Sequence, residues 1–267
     1  MENGIYYDVS HETYHEMTDR ISNSYLSRLA ICPASAKVPK SEGEEPAVLA
    51  FGRAFHLFTL EGLVEFAKGV AILPELNLRK NADKEENTLF RDANKGKAVI
   101  TQKDYEDITA MEKAVKSHPF AAGLLDGEAK EVSVLWTDPF SGLPCKARPD
   151  ILPGKSVVAD LKKTRDASES HFQRSILQFG YHRQAAFYLD GIEKATKERF
   201  DIFAFIVVES NPPYRTEVYT LSPEFIEHGR NEYQFLINIE TRCRAANHWP
   251  NYTSSEVTEI ALPRWKK

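Results

Sequence analysis

A run of six apolar residues at positions 203–208 places the strongest constraint on the fold of this chain. The run has the length of a β-strand and contains no polar residue that would mark a face in contact with water. Strands of this kind are buried on both faces, as in sheets covered by helices on each side. A helical pattern at residues 167–197, interrupted near Gly180, supplies one such cover.

Four further segments have the composition of β-strands. They are residues 131–136, 143–151, 156–162 and 215–221. Turn residues at 138–142 join the first two strands into a hairpin. The helical stretch lies between the third strand and the apolar run. This order predicts an α/β fold in which a mixed central β-sheet is flanked by helices.

The first part of the chain is predicted to be mainly helical. Ser22 is placed to cap a short helix, and a second helix is expected at residues 47–60 with His56 inside it. A third helix is expected at 101–116, whereas the charged segment 74–98 is predicted to be a loop.

We expect one domain over residues 1–267. Its parts are a mainly helical N-terminal part (about 1–125), a catalytic core (about 126–246) and a tail (247–267) that ends in basic residues.

Composition limits the classes of protein to which the chain belongs. Hydrophobic residues make up 42% of the chain, which is enough for a packed core. No run of about 18 apolar residues is found, so we expect no membrane-spanning helix. Cys32, Cys145 and Cys243 are far apart, which indicates a reducing cytoplasm and excludes a four-thiolate iron–sulfur cluster. The net charge of −5 excludes little, because an acidic protein can gather its basic residues in one groove.

Two acidic residues and a lysine are predicted to share a site at the ends of neighbouring strands. Asp160 and Lys162 stand two residues apart on one strand, so their side chains point to the same face. Asp150 reaches that face if the preceding strand is its neighbour. Carboxylate oxygens bind a hard cation such as Mg²⁺, and an ammonium can orient water or stabilise charge on a phosphate. The trio is therefore suited to the hydrolysis of phosphodiester bonds.

Each of these signals also has a simpler structural interpretation. About one Asp-x-Lys triplet is expected by chance in a chain of this length. Tyr181, Gln184 and Tyr188 share one helical face, which can line a site, a surface stripe or a polar network in the core. His56 can be a hydrogen-bonded core histidine, and Glu131 a solvated strand end. The residues alone leave these alternatives open.

Five motifs in chain order resemble those of RecB-type nucleases in the PD-(D/E)XK superfamily. They are the Gly-x-x-x-His-x-x-x-x-Glu pattern at 52–61, Glu131, Arg148-Pro149-Asp150, Asp160-Leu161-Lys162-Lys163-Thr164, and the Gln-x-x-x-Tyr pattern at 184–188. The resemblance is closer still to the RecE-type exonuclease VIII family, through residues 21–26, 131–138 and 181–191. It extends from about residue 20 to about residue 245.

This resemblance implies a restriction-endonuclease-like core with an N-terminal helical elaboration. It implies a Mg²⁺-dependent 5′-to-3′ exonuclease on linear double-stranded DNA, with Mn²⁺ able to substitute. The product is a 3′ single strand for recombination with a single-strand annealing protein, in a phage or prophage setting. A ring or tetramer of this chain in the cytoplasm is expected. Two features depart from the family: exonuclease VIII is much longer, and Asp160 stands where many relatives carry Glu.

The resemblance also implies residue roles. The catalytic set is Lys162, Asp150, Asp160, Glu131, Gln184 and Tyr188, and the metal ligands are Asp150, Asp160 and His56. Because the chain is acidic overall, contacts to DNA require a local group of cations. The candidates for these contacts are Lys163, Arg165, Arg174 and Arg183, together with Tyr181.

Two alternatives use the same fold. One is a RecB- or Cas4-like nuclease of another polarity, many of which carry a four-cysteine cluster that three cysteines cannot form. The other is a catalytically inactive DNA-binding subunit. The presence of Asp150, Asp160 and Lys162 together disfavours this second alternative.

Overall fold

The computed structural model describes residues 1–39, 45–77, 79–154, 156–252, 257 and 259–263. The strands in these ranges are β1 (Gly4–Tyr6), β2 (Val70–Leu73), β3 (Ala98–Thr101), β4 (Ala129–Lys130), β5 (Ser133–Thr137), β6 (Pro144–Ala147), β7 (Ile151–Gly154), β8 (Val157–Thr164), β9 (Ile202–Glu209) and β10 (Thr216–Thr220). The helices are α1 (His11–Glu16), α2 (Asn23–Ile31), α3 (Pro33–Lys37), α4 (Ala47–His56), the π-helical turn Leu57–Glu61, α5 (Gly62–Gly69), α6 (Asn81–Ala93), α7 (Gln102–Ser117), α8 (Pro119–Leu125), α9 (Glu169–Phe179), α10 (Tyr181–Thr196) and α11 (Pro223–Ala246). The basic end of the predicted tail, at Arg264, Lys266 and Lys267, lies outside the described residues.

The central sheet has the strand order β10-β9-β8-β7-β4. Strands β8 and β9 are parallel, whereas the other three pairs are antiparallel. A second, antiparallel sheet has the order β1-β5-β6, and β2 and β3 form a separate parallel pair. Helices pack against both faces of the central sheet, so the predicted α/β fold with a mixed, helix-flanked sheet is confirmed.

The apolar strand β9 is buried on both faces, as predicted. Phe205 packs on one face against Phe172 of α9, with the ring centroids 5.5 Å apart. Ile206 joins a second core on the opposite face, with Phe55 of α4 and Ile108 of α7. Burial of one such side chain stabilises the fold by about 1.5–3 kcal/mol. Strand β9 therefore fixes both helical layers on the central sheet.

The chain passes from one sheet to the other at two places. The strand predicted at 131–136 is β5, which begins only at Ser133, and the crossing from β4 of the central sheet lies just before it. The strand predicted at 143–151 is split between β6 of the second sheet and β7 of the central sheet. Apolar residues alternate through this second crossing and so do not mark it. In the second crossing Pro149 has no N–H with which to extend the ladder.

The predicted helices are largely confirmed, with one omission. Ser22 caps α2 through a hydrogen bond from the Tyr25 N–H (3.2 Å), and Thr101 forms a capping box at the start of α7. The helix predicted at 47–60 is α4 followed by the π-helical turn. The loop predicted at 74–98 is wrong over the span of α6, whose few apolar residues stand among many charged ones and are not buried.

The helical segment Ala47–Gly69 is long and apolar enough to cross a membrane, although it contains no unbroken run of 18 apolar residues. Of its most apolar 18-residue stretch, 28% is buried. Core helices of globular proteins meet the same criteria of length and composition. Ala54 and Phe55 of this segment are fully buried in the second core, against the central sheet.

Helices α10 and α11 approach closely because Gly229 of α11 has no side chain. A Cβ atom at this position would lie 2.1 Å from the carbonyl oxygen of His182 and 2.8 Å from the backbone nitrogen of Arg183. Neither backbone atom can move without moving α10. The sequence of α10 carries the Gln184 and Tyr188 positions, so this contact fixes the helix that faces the predicted site.

We expect Gly229→Ala to lower the free energy of unfolding by about 2 kcal/mol or more, because it forces the two helices apart. Equilibrium unfolding in urea measures this change. Gly123→Ala in α8 is the matched control, since a Cβ there meets no atom within 4 Å. It should leave stability unchanged or raise it by up to about 1 kcal/mol. Equal stability of Gly229→Ala and the wild type would contradict the close packing of α10 on α11.

Candidate functional site

The two sheet crossings bring Glu131 and Asp150 together. Glu131 lies between β4 and β5 with a φ angle of 51°, a left-handed conformation that is uncommon for residues other than glycine. Its N–H donates to the carbonyl oxygen of Asp150 at 2.9 Å, and the Val132 N–H donates to that of Pro149 at 3.3 Å. Residues held in this conformation by surrounding structure are concentrated at functional sites.

Asp150 lies where the edge of β8 becomes free of its neighbour. Strand β7 pairs with β8 from Val157 to Ala159, and its pairing ends there. The next available N–H of β8, that of Leu161, donates instead to the Asp150 carboxylate at 2.7 Å. The carboxylate is therefore fixed by the backbone of the strand that carries Asp160 and Lys162.

His56 completes a compact group with the two acids. One ligand atom from each of His56, Glu131 and Asp150 lies within 4.8 Å of the others, and His56 Nδ1 is 3.6 Å from Asp150 Oδ2. His56 is the last residue of α4, just before the π-helical turn, and turns of this kind are frequent at functional sites. The structure thus places the histidine beside the acids rather than in a purely apolar core.

Arg148 orients the Glu131 carboxylate. Its Nε donates to Glu131 Oε2 at 2.8 Å, while its Nη1 donates to Ser133 Oγ at 2.9 Å and to the Val9 carbonyl oxygen at 3.0 Å. The guanidinium carbon also lies 5.4 Å from the centre of the Tyr14 ring. No role is predicted for Arg148 from the sequence, although it belongs to the Arg148-Pro149-Asp150 motif. Its position two residues before Asp150 is the feature of the sequence that indicates a place in the site.

The group is short of positive charge. Burial, and then the Asp160 carboxylate, raise the pKa of Asp150 to about 8. Burial and the nearby Asp150 raise the pKa of Glu131 to about 7, although Arg148 opposes this shift. Burial lowers the pKa of His56, which favours the neutral imidazole that binds metals. A divalent cation between these ligands would supply the missing charge, so their chemistry fits Mg²⁺ or Mn²⁺.

Asp160 and Lys162 share one face of β8, as predicted, but lie inside the strand rather than at its end. The reason is that β8 continues to pair with β9 as far as Thr164, after β7 has ended. Lys162 forms an ion pair with Asp160, and its ammonium lies 4.8 Å from the centre of the Tyr181 ring. Burial lowers the pKa of Lys162, but the Asp160 and Asp150 carboxylates raise it by more. The net shift is upward, which favours the protonated amine.

Helix α10 covers this face with the predicted polar-aromatic stripe. Gln184 is buried, and its Nε2 donates to Asp160 Oδ1 at 2.7 Å. Tyr188 is buried one turn further and packs against Phe203, with ring centroids 6.2 Å apart. Burial raises the pKa of Tyr188 well above its usual value, so its hydroxyl is neutral. Of the alternatives for this stripe, a site lining, a surface stripe or a polar network in the core, the structure places Gln184 at the acidic group. Tyr188 lies in the core, against Phe203.

The proposed DNA contacts are divided between surface and interior. Arg165 and Arg174 are exposed, and Lys163 is half-buried with its ammonium 5.4 Å from the centre of the Phe51 ring. Arg183 is buried, with hydrogen bonds to Asn23, Ser27 and Glu232. The interpretation of Arg183 as a phosphate contact is therefore wrong in this structure, because its guanidinium is enclosed by partners in α2 and α11.

A family model and one solved structure share the fold of this chain. Residues 22–260 match the model of a family described as a PDDEXK-like domain of unknown function. A candidate exonuclease from Eubacterium rectale superposes with a TM-score of 0.64 at 12% sequence identity, over 97% of each chain. The alkaline exonuclease LHK-Exo from Laribacter hongkongensis, solved with dAMP, has 13% identity and a TM-score of 0.35, over 89% of this chain and 98% of that one. No curated protein matches the chain.

We expect His56→Ala to weaken metal binding without a matching loss of stability in the metal-free protein. Bound metal stabilises the folded state by RT ln(1 + [Mn²⁺]/Kd), so the melting temperature rises once the Mn²⁺ concentration exceeds the Kd. The Mn²⁺ concentration needed for a given rise in melting temperature should be about 10-fold or more higher in the variant. Exposed His248, after α11, provides the control variant His248→Ala. A lower melting temperature with unchanged Mn²⁺ dependence would make His56 a structural histidine only.

Proposed function

The chain belongs to the family of PDDEXK-like domains that its residues 22–260 match, and on that premise we propose that it is a metal-dependent deoxyribonuclease acting on the ends of linear duplex DNA. The observation that carries the proposal is the convergence of His56, Glu131 and Asp150 beside the Asp160–Lys162 pair. A PD-(D/E)XK nuclease fold with all of these side chains in one place is equipped for phosphodiester hydrolysis.

In this proposal the acidic group holds one or more Mg²⁺ ions. His56, Glu131 and Asp150 are the ligands brought together by the fold, and Asp160 contributes an oxygen from the adjacent face. The bound cation supplies charge stabilisation to the phosphate and lowers the pKa of water, with Mn²⁺ able to take its place. Gln184 keeps one Asp160 oxygen fixed by its hydrogen bond, so the carboxylate is oriented before substrate binds.

Lys162 is assigned the role of a hydrogen-bond donor. The Asp160 and Asp150 carboxylates raise the pKa of Lys162, which favours the charged, donating form of its amine. It can donate to a phosphate oxygen that becomes more negative as the water oxygen bonds to phosphorus and the bond to the leaving oxygen breaks. The Tyr181 ring beneath the ammonium limits its movement and favours the charged form.

The finer assignment rests on the resemblance of the five motifs to RecE-type nucleases. We infer degradation in the 5′-to-3′ direction, which leaves 3′ single strands for an annealing protein in recombination. A ring or tetramer of this chain and a cytoplasmic, phage or prophage context belong to the same assignment. The three free, buried cysteines are compatible with a reducing compartment.

The path of the DNA is proposed to follow the exposed cations near β8 and α9. Lys163 lies within β8, Arg165 directly follows that strand, and Arg174 lies on the exposed face of α9. Contacts from these side chains to phosphates are independent of base sequence, as an exonuclease requires.

The test is the digestion of linear duplex DNA with a label at either the 5′ or the 3′ end, and of the same DNA as a closed circle. We expect cleavage of the linear form only, release of the 5′ label first, and no cleavage in excess chelator. Asp150→Asn and Asp160→Asn should abolish cleavage, and Lys162→Ala should slow it by about 100-fold or more.

Lys113→Ala, on the exposed side of α7, is the control for removal of a lysine. It should cleave at the wild-type rate. The proposed function is contradicted if the wild type leaves linear DNA intact with both Mg²⁺ and Mn²⁺, or if the aspartate variants remain active. Early release of the 3′ label would overturn only the polarity.

A further inference from the structure

An exposed aromatic residue, Phe179, stands at the rim of the candidate site with no role in the core. It is the last residue of α9, and 54% of its surface is exposed. Its ring centroid lies 5.6 Å from that of Tyr181, and the Tyr181 ring centre lies 4.8 Å from the Lys162 ammonium. Phe179 and Tyr181 thus form a short aromatic row that leads from the catalytic lysine to the surface.

The direction of this row is fixed by the backbone. Gly180 separates α9 from α10 with a φ angle of 69°, a conformation that glycine adopts without strain. A Cβ atom on Gly180 would lie 2.5 Å from Nη2 of Arg183. Arg183 is in turn held by hydrogen bonds to Asn23 and Ser27 of α2. The buried arginine therefore fixes the turn that presents Phe179 outward and Tyr181 inward.

The exposed face of α9 beside Phe179 combines a cation with apolar surface. Arg174 is exposed, and Leu177, three residues later on the same side of the helix, is 52% exposed. Proteins bind single-stranded nucleic acid with this combination, in which cations contact phosphates and aromatic rings stack on bases. Stacking requires an accessible ring, and Phe179 is the aromatic residue of this row that is exposed.

We propose that Phe179 is a stacking platform for the terminal nucleobase of the DNA strand whose phosphate lies at Lys162. This inference rests on the proposed nuclease function and adds a substrate-contacting residue to it. The Tyr181 ring lies between the two, with its centre 5.6 Å from that of Phe179 and 4.8 Å from the Lys162 ammonium, and in this proposal one nucleotide spans it. Stacking on a ring does not depend on base identity, so the platform suits an enzyme that must process every sequence.

The experiment uses the full-length chain with Asp160→Asn to prevent cleavage, and duplexes with 2-aminopurine as the terminal base at the 5′ or the 3′ end. Binding should change the fluorescence of the base at one of the two ends. Phe179→Ala should remove this change and weaken binding about 10-fold, whereas Phe179→Trp should preserve both. Phe235→Ala on α11 is the control, because Phe235 is 66% exposed and lies outside the aromatic row.

A duplex with an abasic terminal nucleotide separates stacking from other causes. It should bind to the Asp160→Asn protein about as weakly as the normal duplex binds to the Phe179→Ala variant. The two losses should not add when combined. Additive losses, an unchanged fluorescence signal, or a change in oligomeric state on Phe179→Ala would overturn the platform.

If the wild type cleaves DNA and Phe179→Ala has no effect, only this inference fails. Absence of any DNA binding or cleavage by the wild type removes the proposed function as well.

Discussion

The hydrogen bond from the Leu161 N–H to the Asp150 carboxylate is the contact on which the site depends. At 2.7 Å, it occupies the edge of β8 that β7 leaves free beyond Ala159. It therefore couples the sheet crossing at Arg148–Asp150 to the strand that carries Asp160 and Lys162. The second crossing, at Glu131, is joined to the first by the bond between the Glu131 N–H and the Asp150 carbonyl. The two sheet crossings thus bring Glu131 and Asp150 to the strand that carries Asp160.

The electrostatics of the group favour a bound cation in addition to Arg148. Burial raises the pKa of both Glu131 and Asp150; the Asp150 carboxylate adds to the shift of Glu131, and the Asp160 carboxylate adds to that of Asp150. Arg148 and Lys162 each neutralise one neighbour, Glu131 and Asp160 respectively. Asp150 has no ion pair with a lysine or arginine among the described residues; its partners are His56 and the Leu161 N–H. Its position is therefore the natural place for a cation.

Much of this site was accessible from the sequence, because its signals are short and local. The two-residue spacing of Asp160 and Lys162 fixes a common face on any strand, and Gln184 lies on the face of α10 that meets it. The sheet crossings were not accessible, since apolar alternation continues through the second one and the φ angle of Glu131 at the first leaves no mark in composition. Arg183 was misassigned for a related reason: charge favours the surface, but its three partners come from α2 and α11, far away in sequence. Helix α6 was missed because its composition is mainly charged and polar and none of its residues is buried.

Anomalous diffraction from crystals of the wild-type protein soaked in Mn²⁺ tests the central claim most directly. The account predicts a peak within bonding distance, roughly 2.0–2.4 Å, of an Asp150 oxygen, with His56 or Glu131 among the other ligands. The peak should be absent from crystals of Asp150→Asn grown and soaked in the same way. A peak bound elsewhere on the chain, with none at Asp150 in the wild type, would contradict the assignment of these residues as a metal centre.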